Sequence, residues 1–146
     1  MQYEFLKNFP RRMKNIGLYA VIVQNSVQKL SWKQYGFTKF DEQINLLFIV
    51  LLYIMEQSLK EEKCTMDDIA TYVDTINVQY LRKDISYEQC HQLGDFIVNT
   101  VLSNEGRPMY FGGYDFEKNE YEEMHISYVA NKIVYVENEV RRTSYY

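Results

Sequence analysis

The chain is poor in the residues that do chemistry or staple a fold: only two cysteines and two histidines stand among 146 residues. Cys64 and Cys90 are 26 positions apart, on what read as a loop and a helix, so free thiols in a reducing compartment are expected. His91 follows Cys90 directly, and adjacent side chains on a helix diverge by about 100°, so the pair does not converge on a metal. Adding His125 leaves the set too scattered for zinc-ligand spacing. There is no GxxxxGK[ST] phosphate loop and no GxGxxG fingerprint; Gly112-Gly113 reads as a bulge or turn. Glu117, Glu120, Glu122 and Glu123 gather around a polar connection, a solvated charge run without the convergence that general acid–base work needs. The longest apolar run, Leu46 to Met55, has ten residues, short of the roughly 18 that span a bilayer. The N-terminus lacks the basic, apolar and small-residue order of a signal peptide. These absences predict a cytoplasmic, non-enzymatic chain with no metal, no cofactor and no membrane partner.

What is present begins with charge. The net charge is −4 overall, yet residues 1–40 carry seven bases against Glu4, for +6, and residues 41–146 carry nine bases against nineteen acids, for −10. Opposite charges on two parts of one chain favour their contact with each other or with a partner's opposite part.

Hydrophobic spacing places the elements. Met13, Ile16, Ala20, Val23, Val27 and Leu30 recur every three or four residues after Pro10, the seam of an amphipathic helix. Gly17 and the β-branched Val21-Ile22-Val23 weaken that helix locally. Trp32, Tyr35, Phe37 and Phe40 line a connector punctuated by Gly36 and are expected to anchor this arm. The run from Leu46 is apolar on every side and predicts a central core helix starting near Asp41. Thr65-Met66-Asp67-Asp68 and Ser86-Tyr87-Glu88-Gln89 are capping-box patterns. They predict two further helices with inner faces Met66, Ile69, Val73, Ile76 and Cys90, Leu93, Ile97, Val101.

Beyond Pro108 the period becomes two. Met109-Tyr110-Phe111 reads as a strand. Met124, Ile126 and Tyr128 alternate with His125 and Ser127, and a turn at Ala130-Asn131-Lys132 would bring Ile133-Val134-Tyr135-Val136 back as the second strand of a wing. Val140 to Tyr146 reads as another extended segment, and its paired terminal tyrosines suggest a piece of a longer protein. Of fourteen tyrosines, half lie in this strand region, where large rings with polar tips suit either a partner or the sheet's own core.

Three helices followed by strands is the order of a winged-helix domain. Such domains commonly read DNA with the third helix, but the segment from Ser86 to Ser103 holds Glu88 and Asp95 and no Lys or Arg, so it neither neutralises phosphates nor offers an Arg–guanine contact. DNA binding would fall to Lys7, Arg11, Arg12 and Lys14 instead.

The stretches FDEQINLLFIVLLYIMEQSLKEE, SYEQCHQLGDFIVNTVLSNEG and HISYVANKIVYVENEVRRTSYY, between Phe40 and Tyr146, resemble the N-terminal winged-helix region of Wadjet JetA-type proteins, kleisin-like subunits of SMC-related plasmid-defence complexes. The resemblance implies a non-enzymatic subunit that bridges an SMC-like ATPase, accompanies a small winged-helix partner and dimerises through its N-terminal region.

The expectation is therefore an α+β chain: a basic amphipathic arm over residues 1–39 and a winged-helix-like domain of three helices and a hairpin wing over 40–146. Met13, Ile16, Ala20, Val23, Val27 and Leu30 would form a homodimer seam or fold back onto the core. Tyr128, Ile133, Tyr135, Arg141 and Arg142 would meet a partner. A DNA-binding transcriptional regulator and a small hydrolase are the competing classes.

Overall fold

The computed structural model of the chain describes residues 3–126, 133–136 and 139–142. Helices come first and antiparallel strands last, an α+β arrangement as the sequence predicts.

Helix α1 spans Phe9–Val27, with Pro10 in the first turn, where a missing N–H costs nothing. It packs inward through Leu18, Val21, Ile22 and Ser26. On a helix these positions lie across the axis from 16, 20, 23 and 27, so the spaced apolar series does not supply the packing face. A 3-10 turn, Leu30–Tyr35, follows and ends at Gly36, whose φ of 84° requires a residue without a Cβ. Trp32, Tyr35 and Phe37 are buried, anchoring the connector as expected, and the Trp32 indole N–H donates to Ser26 Oγ at 3.1 Å. Phe40, by contrast, is exposed and not part of the buried set.

Helix α2, Phe40–Leu59, buries Leu46, Leu47, Val50, Leu51 and Ile54. The expectation of a helix buried all round is corrected: Leu52 is 62% and Leu59 76% exposed, because the neighbouring elements cover only part of its circumference. By length and composition α2 is apolar enough to cross a membrane, the one such helix among the described residues, and the residues that make it so include that core face.

A two-residue strand β1, Cys64–Thr65, leads into α3, Met66–Ile76. Both predicted capping boxes form. Asp68 N–H donates to Thr65 Oγ1 and Thr65 N–H to Asp68 Oδ2, each at 3.0 Å. Gln89 N–H donates to Ser86 Oγ at 3.1 Å and Ser86 N–H to Gln89 Oε1 at 2.8 Å. Met66, Ile69 and Val73 are buried, with Ile76 half-buried, against α4, Tyr87–Asp95, and its π-helical continuation Phe96–Leu102. Between α3 and α4, Asn77 acts as a template for the turn: its Nδ2 donates to Lys83 O at 2.9 Å and its Oδ1 accepts from Lys83 N–H at 2.8 Å. Arg82 takes the left-handed conformation there. The Lys83 ammonium then pairs with Glu42 and stands 5.4 Å from the Phe37 ring centre, tying this turn to the start of α2 and to the connector.

The strands pair differently from expectation. β2 runs through both Gly112 and Gly113, from Met109 to Asp115, and pairs antiparallel with β3, Glu120–Ile126, in the register Met109 with Ile126 to Asp115 with Glu120. The turn falls at 116–119, where Asp115 Oδ1 accepts from the N–H groups of Glu117 and Lys118 and Asn119 adopts a φ of 55°. β4, Ile133–Val136, pairs not with β3 but with β5, Glu139–Arg142, and β5 also pairs with β1, giving the order β1-β5-β4. Tyr128 and the predicted turn at 130–132 lie outside the described residues.

The arm and the later helices share one interior. Leu18, Ile22, Trp32 and Phe37 belong to the same buried cluster as α2, α3 and α4.

Candidate interaction surfaces

The outward face of α1 is apolar over most of its length. From Asn15 to Val27 the helix carries no charged residue. Its solvent side presents Ile16 at 58% exposure and Val27 at 49%, with Leu30 beyond the helix at 77%. Ala20 is exposed as well, and Met13 and Val23 are half-buried. Tyr19 borders the face and meets the Phe48 ring of α2 at 6.0 Å.

At the other end of α1 the charges gather. Lys7 pairs with Glu4 at 3.4 Å. Arg11, Arg12 and Lys14 are exposed and take no ion pair among the described residues. The first turn of α1 has no acid, so these cations sit against the positive end of the helix dipole.

The β2–β3 hairpin is joined to α1 at two places. The Phe9 and Phe116 rings meet edge to face at 5.3 Å, and Phe111 packs over Gly17, where a Cβ would stand 1.9 Å from the ring's Cζ. Tyr114 and Tyr121 face each other across the strands at 5.0 Å, and Tyr121 lies over the bare Gly112. Tyr121 remains 75% exposed. The hairpin holds five acids, Asp115, Glu117, Glu120, Glu122 and Glu123, and one base, Lys118, which pairs with Glu122. Strands at Met109–Phe111 and through Met124 and Ile126, with a polar connection between them, are as the sequence predicts; their pairing with each other and the join to α1 are not.

Of the residues expected to meet a partner, Tyr128 is not described. Ile133 stands across from Arg142, Tyr135 from Val140 and Arg141 from Val134 in the β4–β5 ladder.

His91 Nε2 lies 3.2 Å from Asp67 Oδ1 on the open side of α3 and α4, near Tyr87 and Thr71, whose hydroxyls are 3.1 Å apart. Both thiols are free and buried. Burial, reinforced by Asp68, pushes Cys64 up to about 12; burial, reinforced by Asp74, pushes Cys90 up to about 11, so neither is a thiolate near neutral pH. Burial likewise raises the Tyr53 phenol, stacked on Tyr72 at 4.2 Å, to about 12. No group of three or more His, Cys, Asp or Glu among the described residues is placed to hold a metal. An open groove of about 240 Å³ between α1 and β2 is lined by Val21, Gln24, Asn25, Gln28, Pro108, Met109 and Tyr110. Asn25 is committed there, its Nδ2 donating to the carbonyls of Thr100 and Val101 at 3.2 and 2.9 Å.

Comparison of the chain with protein-family models, curated proteins and solved structures returns no match.

Proposed function

We propose that the chain is a non-enzymatic, cytoplasmic interaction module of winged-helix type that forms a homodimer through the outward face of α1. The observation that carries this reading is the uncharged apolar face formed by Ile16, Ala20, Val23 and Val27 on the side of α1 opposite its packed residues. An apolar helix face that its own fold leaves uncovered is a natural protein contact. The winged-helix assignment is supported by the order α2, β1, α3, α4, then strands, and by the sheet order β1-β5-β4, in which the short strand after the first helix joins the final hairpin. The β2–β3 hairpin is then an insertion between the third helix and the wing. With the resemblance to Wadjet JetA-type subunits, the module belongs in an SMC-like complex, its other partners being the ATPase and a small winged-helix subunit.

Light scattering of the whole chain over a concentration range tests the homodimer. Val23→Glu/Val27→Glu should give a folded monomer where the unaltered chain is a dimer. An unaltered chain that stays monomeric, or a variant that stays dimeric, would refute this contact.

A DNA-binding regulator is the second reading, favoured by Arg11, Arg12 and Lys14, which are exposed and take no ion pair among the described residues, and opposed by the acidic third helix. It requires a mobility shift that weakens steeply between 50 and 200 mM salt.

A further inference from the structure

The far end of α4 is held by the arm. The helix widens into its π-helical continuation over Phe96–Leu102, and the last bond runs from Ser103 N–H to Val98 O, five residues back, at 3.0 Å. Beyond it the backbone turns left-handed, with φ of 47° at Asn104, 56° at Glu105 and 83° at Gly106. Only glycine adopts that region freely. In an α-helix the carbonyls of Thr100 and Val101 would accept from the N–H groups of Asn104 and Glu105, four residues on. In a π-helix they would accept from Glu105 and Gly106. The left-handed turn makes neither set of bonds, and Gly106 N–H goes to Ser103 O at 2.8 Å instead. Val101 is wholly buried, so its carbonyl cannot turn to water. Asn25 fills the gap from α1: its amide nitrogen has two hydrogens and donates to both carbonyls, at 3.2 and 2.9 Å.

We infer that residues 96–105 form a two-state segment whose choice is set by the docking of α1. With α1 in place, Asn25 completes the widened helix and its left-handed end. Without it, a shift of one residue, Ser103 N–H passing from Val98 O to Asn99 O, lets an α-helix run on to Glu105. The N–H groups of Asn104 and Glu105 then take over the carbonyls that Asn25 gives up. The first state carries the unfavourable φ of Glu105 and the second does not, so the bonds of a side chain 75 positions away decide between them. Trp32, edge-on to Phe96 at 5.2 Å, sets the connector of the same arm against the start of the segment. Coupling of this kind is reciprocal. Whatever displaces α1 lengthens the helix, and whatever straightens the end of the helix loosens α1.

Amide hydrogen exchange followed by NMR on the whole chain tests both directions. Asn25→Asp sets a carboxylate against the two carbonyls. The Asn104 and Glu105 amides should then slow by about tenfold or more, and their Cα shifts should move to right-handed helical values. Asn104→Ala/Glu105→Ala favours the α-helical end without touching α1. The Asn25 side-chain amide should then exchange faster by about tenfold or more. Unchanged exchange at Asn104 and Glu105 in the first variant, or at the Asn25 amide in the second, would overturn the two-state segment. So would faster exchange across Phe96–Leu102 in Asn25→Asp, the mark of a helix end that frays instead of re-forming. If Asn25→Asp fails to fold, the alanine pair decides alone.

Discussion

Gly17 and Phe111 form a fitted pair: the ring of a residue on β2 occupies the space where any side chain on α1 at that position would begin, 1.9 Å from its Cζ. In isolation Gly17→Ala should stabilise a helix by about 1 kcal/mol. Here the added methyl must push the hairpin off, and overpacking of this kind costs about 1–3 kcal/mol, so net destabilisation is expected. Urea unfolding measures the sign. Phe111→Ala should remove the clash, making the double variant more stable than the sum of the single changes.

The Glu42–Lys83 pair sets a pH dependence. The hydrogen bond from Lys83 holds the Glu42 carboxyl below its ordinary range, assisted by the Lys39 backbone N–H. A carboxyl depressed in the folded state stabilises above its unfolded value, near 4.3, and that contribution disappears as pH falls through the folded value. With the two side chains 22% and 29% exposed, the contribution at pH 7 is about 1 kcal/mol. Glu42→Gln should therefore lose that much at pH 7 and converge with the unaltered chain in acid. Equal separation of the two unfolding curves from pH 7 to 3 would contradict the assignment.

Asn77 carries two backbone partners at once, and Asn77→Leu would strand the N–H of Lys83, whose carbonyl keeps the Ile85 N–H. A loss of about 1–3 kcal/mol is expected for the one abandoned group. Hydrogen exchange at Lys83 is the direct check: its amide should go from protected to rapidly exchanging, even if the remaining helices stay intact.

The thiols predict a titration of opposite sign to that of Glu42. Raised in the folded state to about 11 and 12, they favour folding below an ordinary thiol value near 8.5 and cease to do so as pH climbs through the raised values. Ellman's reagent at pH 8 should find no reactive thiol in the native chain and two after unfolding in guanidinium. Rapid native labelling of either cysteine would show that its burial is incomplete.

Local patterns were legible where local chemistry decides. The two capping boxes opened α3 and α4 as expected, since a hydroxyl and an acceptor three residues on satisfy the same pair of N–H groups in any context. The spacing from Met13 to Val27 also marked a helix, but spacing alone does not say what lies against it, and packing is made by Leu18, Val21 and Ile22. The strands of the hairpin were legible, but their pairing was not. Gly112-Gly113 suggested a break, whereas one glycine is covered by Tyr121 and the strand continues; only a residue on the partner strand makes that sensible. Gly17 had the same character, a helix weakness in the sequence whose reason stands 94 positions later.

That separation also governs timing. During synthesis α1 leaves the ribosome first, but Phe111, Phe116 and the carbonyls of Thr100 and Val101, which hold it, are made later by on the order of 5 to 20 s at ordinary elongation rates. Over that interval α1 has beside it only the connector, through Trp32 on Ser26, and α2, through Phe48 on Tyr19. The first long helix of the chain is thus among the elements completed late: its full set of neighbours exists only once the hairpin, some ninety residues downstream, has been made.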